Sequence, residues 1–530
     1  MRLLPDAHRR RLVLRRGNTM PRRLLILCLC LAVCLLGPAA NARPESDEPV
    51  RPPAVAGQFY PEDPAKLSAG IRAFLDEAVP ASGQRPIALI TPHAGYIFCG
   101  QIMADAFRQA AGQDYEVVVV LGTNHTTPGF SGVSIYPEGS FQTPLGRTRI
   151  DRELARRLKD GFPEATFRED VHRREHSIEV LLPFIQTLFP KARLVPVIVG
   201  APDPSLCRRF GQCLGEALQN RRALIVASSD LSHYPAYDDA VAADRQTLTA
   251  VLTLDPDRIS AAVHKTEAAG TAKLSTAACG LGPILTAVTA AKVLGATCGR
   301  WVSYANAGDM LLGRRDQVVG YGAIALDHGQ PCPPPRLEAP RRAASAGGDL
   351  TPAQKKELLD LARRTIDQFL TTQLLPLARG SDPALDRKQG AFVTLKKAGE
   401  LRGCIGHMAE DRPLRQVVGA MALQAAFNDR RFPQLTLKEW PGIEIEISVL
   451  TPFRPVAGAA EVQIGRDGVV LEKGGRSAVF LPQVAVEQGW SREEMLSQLC
   501  LKAGLGADDW RKGAKLSTFQ AVVFGETGRR

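Results

Sequence analysis

The ten residues IALITPHAGY, at positions 87–96, contain a short apolar run that stops at a histidine, His93. The same arrangement returns in VVVVLGTNH at 117–125 and in ALIVASSDLSH at 223–233. Short β-rich runs that alternate with helical patterns predict a parallel α/β sheet. Because ligands bind beyond the carboxyl ends of such strands, we expect these three loops to meet at one site.

A fourth segment, ACGLGP at 278–283, puts Cys279 directly before a helical stretch. Imidazole and thiolate are good ligands for first-row transition metals, and three such ligands leave open positions for a substrate. A cysteine at the positive end of a helix is also expected to have a lowered pKa and to be a thiolate. The residues predict a candidate site of five side chains: His93, His125, Asp230, His233 and Cys279.

Within this set, Asp230 and His233 lie on one loop, where they could orient a ligand imidazole or act as acid and base. The cluster EHSIE at 175–179 adds His176 and Glu179, which share a helical face and either line the pocket or begin an amphipathic helix. Two other interpretations stay open: separate core histidines with hydrogen bonds, and a metal-free Cys/His/Asp nucleophile site.

The chain has 530 residues, which is too long for one core and predicts two or three domains. Its net charge is +11, but residues 1–42 contain eight Arg, no Lys and one Asp, a net of +7, which leaves +4 for the rest. The remainder contains no dense basic stretch interleaved with aromatic residues. We therefore expect no nucleic-acid partner.

The basic N-terminus is typical of a signal peptide. Arg22 and Arg23 precede an uncharged apolar run at 24–36, and an A-x-A cleavage pattern ends at Ala42. The run is shorter than a spanning helix, so we expect no transmembrane segment after cleavage of residues 1–42. Met20 could be the true start. The prediction is export, periplasmic or secreted; without the signal the protein would be cytoplasmic.

The sequence divides into two domains. The first covers 50–328, a Pro/Ala-rich linker covers 329–349, and the second covers 350–526. The second domain has hairpin-like runs and a strictly alternating run, IEIEISVL at 443–450, which predict an α+β fold. Its Cys404 lies between two glycines, Gly403 and Gly406, and is either a nucleophile in a possible pocket or a small residue packed in a tight strand.

The first domain resembles the Memo family. Eight motifs occur in the family's order: AGQFYP, TPHAGYIFCG, VVLGTNHT, EHSIEVLLPF, VPVIVG, ASSDLSHY, ACGLGPI and YANAGD. The resemblance implies the fold of class III extradiol dioxygenases, with a parallel or mixed sheet. It implies bound Fe(II), or alternatively copper, with metal-site positions on His93, His125 and Cys279 and pocket positions on Asp230 and His233. Cys279 takes the place of the carboxylate ligand of true extradiol dioxygenases.

The second domain resembles the AMMECR family, through LRGCIG at 401–406, AFNDRRFP at 426–433 and EIEISVLTP at 444–452. The family's Asp-Pro-Arg is here Asp429-Arg430-Arg431. The combination of the two domains in one chain resembles the AmmeMemoRadiSam group of proteins. This resemblance implies a radical-SAM pathway partner and an unidentified small-molecule substrate.

Three functions are compatible with these residues. The first is an iron-dependent, dioxygenase-like oxidoreductase on the metal site of the first domain, joined to an AMMECR domain of undefined activity. The second is a metal-binding or scaffold protein without turnover. The third is a Cys-dependent hydrolase or transferase that uses Cys279.

Overall fold

The computed structural model describes residues 48–200, 203–330, 350–380 and 382–526. The predicted signal peptide and nearly all of the predicted linker lie outside these ranges, so export stays a prediction. None of the helices in the described ranges combines the length and apolar character that a membrane crossing requires. We refer to residues 50–330 as the first half and to residues 350–526 as the second half.

The first half contains nine α-helices and a central sheet among its described residues, which confirms the predicted α/β class. Its strands are β1 (Val50–Arg51), β2 (Ala88–Thr91), β3 (Val117–Thr123), β4 (Val133–Ile135), β5 (Ser140–Thr143), β6 (Gly146–Arg149), β7 (Arg193–Val199), β8 (Ala223–Ser228), β9 (Cys298–Asn306) and β10 (Gly320–Asp327). Its α-helices begin with α1 (Pro64–Asp76), α2 (Tyr96–Arg108), α3 (Arg152–Gly161), α4 (Glu169–Arg173) and α5 (Leu182–Leu188). They continue with α6 (Pro204–Leu218), α7 (Tyr237–Val251), α8 (Pro256–Ala268) and α9 (Leu281–Val293).

The central sheet has seven strands in the order β4-β7-β3-β8-β2-β10-β9. The four inner strands β7, β3, β8 and β2 are parallel, and β4, β10 and β9 run antiparallel to their neighbours, so the sheet is mixed. All seven residues of β3 are buried. Strands covered by helices on both faces are expected to be continuous apolar runs rather than alternating ones. The three sequence runs that end at candidate site residues are thus β2, β3 and β8.

The segment after α4 differs from the helix that its apolar spacing suggests. A single 3₁₀ turn covers Glu179–Leu181, and α5 begins only at Leu182, with Pro183 in its first turn. Residues 175–178 instead run along the end of β3, where the Ser177 hydroxyl donates to the carbonyl of Thr123 at 3.0 Å. These contacts hold the EHSI segment against the sheet.

The second half contains two antiparallel sheets and four α-helices among its described residues, which agrees with the predicted α+β fold. The first sheet, in the order β12-β11-β13-β18, comprises β11 (Ala391–Lys397), β12 (Glu400–His407), β13 (Ile443–Leu450) and β18 (Ala521–Gly525). The second, in the order β14-β17-β15-β16, comprises β14 (Arg454–Val456), β15 (Gly468–Lys473), β16 (Arg476–Phe480) and β17 (Lys515–Phe519). The helices are α10 (Pro352–Thr372), α11 (Leu414–Phe427), α12 (Pro482–Glu487) and α13 (Arg492–Lys502).

Local sequence explains how the second half starts. Thr351 and Gln354 form a reciprocal capping box at the N-terminus of α10, with Pro352 at the first helical position. Helices α10 and α11 then cover one face of the first sheet and build a core from its alternating apolar residues.

The two halves contact each other through buried groups, within a single compact unit that starts at Val50. Arg379 donates to both carboxylate oxygens of Asp105 on α2, at 2.9 and 2.6 Å, and Asp105 is fully buried. Leu374 packs into the hydrophobic core of the first half. It lies against Gly70 of α1 so closely that a Cβ on Gly70 would be 2.5 Å from the Leu374 side chain. Leu374 of the second half is therefore buried in the core of the first half, and an ion pair with a buried carboxylate joins the two halves.

Candidate metal centre

Three histidines converge beyond the carboxyl ends of the inner strands. His93 follows β2, His125 follows β3, and His176 lies in the segment held against the end of β3. One ring nitrogen from each of the three lies within 4.8 Å of the others, which makes them a potential metal-binding group. Ring centroids are 5.0 Å apart for His93 and His125, 4.6 Å for His125 and His176, and 5.6 Å for His93 and His176.

Cys279 lies at the edge of this group. Its Sγ is 3.3 Å from Nε2 of His93 and 3.6 Å from the carbonyl oxygen of Asp230. It precedes Gly280, the N-cap of α9, which approaches β8 so closely that a Cβ would lie 2.3 Å from the carbonyl oxygen of Ser228. The sequence placed Cys279 in the metal group, whereas the tight group in the structure contains His176 instead; the role of Cys279 as a ligand stays a prediction.

The hydrogen bonds of His93 determine which of its nitrogens faces the cluster. The Ser228 hydroxyl donates to the carbonyl of Ser177 at 2.6 Å, so it accepts a hydrogen bond from Nδ1–H of His93 at 2.8 Å. Nε2 therefore carries the lone pair and points toward Cys279. His93 is 1% exposed, and burial, followed by the neighbouring histidines, lowers its pKa well below the usual value. Its imidazole is neutral, as metal ligation requires.

Glu175 is the residue that sequence reasoning missed. Its carboxylate accepts a hydrogen bond from Nδ1 of His125 at 2.9 Å and from the backbone N–H of His125 at 2.7 Å. It also accepts from the N–H groups of His176 and Ser177, at 3.0 and 2.9 Å. Burial favours the neutral acid, but the hydrogen bond and charge of His125 outweigh it and lower the pKa of Glu175 to about 2.

The carboxylate of Glu175 also fixes the tautomer of His125. Because Nδ1–H donates to Glu175, Nε2 of His125 is free for a metal, an arrangement that metal-binding histidines commonly have. Burial opposes protonation of His125, yet the hydrogen bond to Glu175 raises its pKa. The adjacency of Glu175 and His176 in sequence was the available signal, although it did not identify His125 as the partner of Glu175.

His176 and His125 form the more open side of the group, and His93 forms its buried side. The side chain of His176 is 18% exposed and that of His125 is 30% exposed. The ring of Phe59 packs edge-on against His176 at 4.8 Å, and Phe59 also lines a cleft of about 460 Å³. Gln373 and Leu374 of the second half form part of the wall of this cleft. A ligand in the cleft would be separated from His176 by Phe59.

Asp230 and His233 are next to the histidine group. Asp230 is 4% exposed, and its Oδ1 accepts the backbone N–H of His93 at 2.8 Å, so it holds the loop that carries His93. Burial raises the pKa of Asp230. Nδ1 of His233 lies 2.9 Å from the carbonyl of Leu231, which can only accept, so Nδ1 is the protonated nitrogen and Nε2 is left with the lone pair.

The other predicted site residues have different surroundings. Glu179 is fully buried and binds the N-terminal segment: its carboxylate accepts from Arg51, from the N–H groups of Ala54 and Val55 at 2.8 and 2.9 Å, and from Tyr60 at 2.7 Å. We therefore assign Glu179 to the segment that presents Phe59, rather than to the pocket lining.

Cys404 belongs to β12 in the second half, paired across from Thr394 of β11. It is half-buried, and its Sγ accepts a hydrogen bond from Thr394 at 3.3 Å. Its backbone N–H donates to Asp429 at 2.9 Å. Cys404 is thus part of a sheet that does not contain β2, β3 or β8.

The expectation that the helix end would make Cys279 a thiolate is wrong for the metal-free protein. Burial raises the pKa of Cys279 well above its usual value, and the charge of Asp230 acts in the same direction. The amide of Gly280, the first donor at this helix end, is bound to the hydroxyl of Ser229 at 3.0 Å. Desolvation therefore outweighs the helix dipole, which contributes little beyond the first turn.

The donor set fits a transition-metal ion. Sulfur and nitrogen bound to one ion at about 2.3 and 2.05 Å are 3.3 Å apart when the angle between the bonds is roughly 100°, and 3.3 Å is the separation of Cys279 Sγ and His93 Nε2. Two nitrogens bound at about 2.1 Å lie at most about 4.2 Å apart, so the imidazoles need shifts of less than about an ångström to bind one ion. A cation would also stabilise the thiolate that burial disfavours.

A glycine makes this arrangement possible. Gly122, in β3, is where the EHSI segment crosses the strand: a Cβ there would lie 2.7 Å from both the Ile178 side chain and Oγ of Ser177. It would also lie 2.8 Å from Ile198 on β7. Because both Glu175 and His176 belong to the segment packed on Gly122, the missing side chain allows the carboxylate to reach His125.

Comparison with known proteins agrees with the residues quoted above. The family model described as "Memo-like protein" matches residues 51–325, more than half of the chain, and the AMMECR1 family model matches residues 359–524. A MEMO1 family protein of Methanopyrus kandleri is 36% identical over 293 residues, covering 53% of this chain and 99% of that protein. A MEMO1 family protein of Aquifex aeolicus is 36% identical over 279 residues, covering 52% of this chain and 99% of that protein.

Among solved structures, an uncharacterized protein from Pyrococcus horikoshii is 38% identical, covers 32% of this chain and 90% of its own, and has a TM-score of 0.31. The family models and the curated relatives carry the conclusion: the chain belongs to the Memo family, and its Memo domain is followed in the same chain by an AMMECR1 domain.

Proposed function

We propose that the Memo half binds one non-haem iron ion and performs dioxygenase-like redox chemistry on a small-molecule substrate. The observation that carries the proposal is the group of three imidazoles, His93, His125 and His176, with the sulfur of Cys279 at its edge. Imidazole nitrogens and a thiolate suit iron, copper and zinc alike. Iron is the preferred ion of the proposal, and copper is the alternative.

The surrounding residues have defined tasks in this proposal. Ser228 and Glu175 orient His93 and His125 with Nε2 toward the ion. When bound, the iron would supply a Lewis-acidic and redox-active centre for substrate. His233 offers Nε2 as the proton acceptor, and Asp230 holds the His93 loop, with burial raising the pKa of its carboxyl.

The geometry argues against a Cys-dependent hydrolase. A nucleophilic cysteine needs a lowered pKa, whereas burial raises the pKa of Cys279. The closest imidazole nitrogen, Nε2 of His93, carries a lone pair, but burial also disfavours the imidazolium that proton transfer from the thiol would create. A thiolate–imidazolium pair between Cys279 and His93 would have to form in a buried site without stabilisation by water. The geometry therefore favours metal ligation by these two side chains over nucleophilic catalysis.

The test is elemental analysis combined with variants of each candidate ligand. The protein is purified anaerobically, loaded with Fe(II), and its iron content is measured beside His125→Ala, His176→Ala and Cys279→Ser. We expect about one equivalent of iron in the wild type and its loss in His125→Ala. Oxygen consumption and a spectral change on oxidation are expected only in the loaded protein.

These variants also separate the possible ligand sets. Loss of iron in Cys279→Ser but not in His176→Ala would assign the set predicted from sequence. The reverse result would assign the three imidazoles. Stoichiometric metal with neither redox response nor oxygen consumption would identify a metal-binding scaffold without turnover. The substrate and a radical-SAM pathway partner, which the family resemblance implies, belong to the same proposal and would be sought with the loaded protein.

A further inference from the structure

We propose that the AMMECR1 half is a positioning element for the candidate metal centre, and that Gln416 on α11 is its principal positioning residue. The inference rests on the proposed function, because it concerns the regulation of the same site and predicts an effect on metal binding there. It rests on a continuous series of hydrogen bonds from α11 to the loop that carries His233.

The first step is the contact between α11 and the loop after β9. Gln416 is 3% exposed, and its Nε2 donates to the carbonyls of Gly308 and Met310 at 2.9 and 2.6 Å. One position further along the loop, Leu311 is fully buried against Ala420 and Leu423 of the same helix. The helix approaches so closely that a Cβ on Gly419 would lie 2.6 Å from the Leu311 side chain.

The second step connects this loop to the strand that follows it. Residues Ala307–Asp309 form a 3₁₀ turn, and the N–H of Ala307 donates to the carbonyl of Val319 at 2.9 Å. Asp309 accepts a hydrogen bond from the hydroxyl of Tyr237 at 2.6 Å. A Cβ on Gly308 would lie 2.8 Å from the Tyr237 ring. The two carbonyls bound by Gln416 thus belong to a turn that packs on both Val319 and Tyr237.

The third step reaches the site loop. Four backbone hydrogen bonds join residues 231–235 to residues 318–320: Leu231 N to Gly320 O (2.8 Å), Gly320 N to Ser232 O (2.9 Å), Tyr234 N to Val318 O (2.7 Å) and Val318 N to Pro235 O (2.9 Å). They enclose His233, whose predicted role is to accept a proton. The position of the loop after β8 therefore depends on the segment that Gln416 anchors.

Tyr234 shows that this loop needs outside support. Its φ is 72°, in the left-handed region that only glycine adopts without strain. The residue is 52% exposed, and its ring packs edge-on against His233 at 5.6 Å. A half-exposed aromatic side chain offers little packing to offset such strain. The hydrogen bonds to residues 318–320, and through them the contact with α11, provide the compensation.

Hydrogen–deuterium exchange of the full chain, read by mass spectrometry, tests this inference in metal-free protein. Gln416→Met keeps the volume of the side chain and removes its donors, while its oxygen has no hydrogen-bond partner to lose. We expect exchange to become faster by on the order of tenfold both in peptides covering 307–313 and in those covering 230–237. Gln424→Met, a half-buried glutamine on the same helix, is the matched control and is expected to leave both regions unchanged.

Faster exchange at 307–313 without any change at 230–237 would overturn the inference, as would no change in either region. Leu311→Val is the second variant, because it loosens the same contact from the Memo side by removing one methylene group from Leu311. It must give the same two-region pattern if Gln416→Met does not fold, and its failure to do so would also overturn the inference.

A zinc titration of the same proteins separates this inference from the proposed function. Zinc is a redox-inert probe of the histidine group. We expect Gln416→Met to bind zinc several-fold more weakly than the wild type, while Gln424→Met binds it equally. Equal zinc affinity of Gln416→Met and the wild type would overturn the positioning of the metal centre. A wild type that binds neither zinc nor iron would refute the proposed function, and the exchange pattern would still decide the positioning of the His233 loop.

Discussion

Replacing Glu175 by glutamine should weaken metal binding without removing any ligand. Glu175 accepts four hydrogen bonds, three of them at Oε1 and one at Oε2. In Glu175→Gln one oxygen becomes an NH₂ group. Turned one way, this group faces the N–H of His125; turned the other way, it faces three donors. At least one buried donor therefore loses its acceptor, which costs roughly 1–3 kcal/mol of folding free energy.

The effect on metal affinity comes from His125. Removing the charge that holds Nδ1–H weakens the orientation and basicity of this imidazole, and losing such a partner lowers metal affinity typically about 10–100-fold. This corresponds to roughly 1.4–2.7 kcal/mol of binding free energy. The assay is competition of the purified protein with a fluorescent zinc chelator, together with thermal unfolding to verify that the variant is folded.

The matched control is Glu164→Gln, the same substitution at an exposed carboxylate paired with Arg209. Exposed ion pairs contribute little, so zinc affinity and stability should stay at wild-type values. A folded Glu175→Gln protein whose zinc affinity is within twofold of the wild type would refute the argument that this carboxylate orients His125.

Three further predictions concern stability, each measured by urea denaturation. Burial raises the pKa of Asp244 from 3.8 to about 7, so between these values the folded state keeps a proton that the unfolded chain releases. The contribution of Asp244 to the free energy of unfolding should therefore fall by roughly 3 kcal/mol from pH 4 to pH 7, and Asp244→Asn should abolish that fall. Arg379→Ala removes the two charged hydrogen bonds to buried Asp105 and should lower the free energy of unfolding by roughly 2–3 kcal/mol. An unchanged urea midpoint would contradict a stabilising role for this ion pair. Gly403→Ala puts a Cβ 2.3 Å from a backbone carbonyl of α11 and should lower the free energy of unfolding by about 1–3 kcal/mol. Gly442→Ala, with open space around it, should leave stability unchanged, and equal effects of the two substitutions would contradict the close packing of β12 on α11.

The sequence was sufficient to predict which loops meet. Apolar runs at β2, β3 and β8 indicated buried parallel strands, and the rule that ligands bind beyond their carboxyl ends brought His93 and His125 together. The same pattern predicted the capping box of α10 and the alternating strand β13, because both depend on neighbours within a few residues.

The parts that sequence could not predict depend on contacts between distant residues. Glu175 has its partner 50 positions away, and Ser228 orients His93 from 135 positions away. Nothing in the local spacing separates Glu175, which reaches the site, from Glu179, which reaches Arg51. The high pKa of Cys279 likewise follows from its burial, which a helix-end pattern does not contain.

Gly122 also suggests how this centre can be lost. A methyl group at this position would push residues 177–178 off the strand and displace Glu175 and His176 together. One substitution would then move a candidate ligand and the carboxylate that orients His125, without changing either residue. Gly122→Ala should therefore abolish metal binding although every histidine is still present in the sequence. In a Memo protein that has lost its metal, intact histidines alone are a poor guide to function, and the residue at this strand position is the one to inspect first.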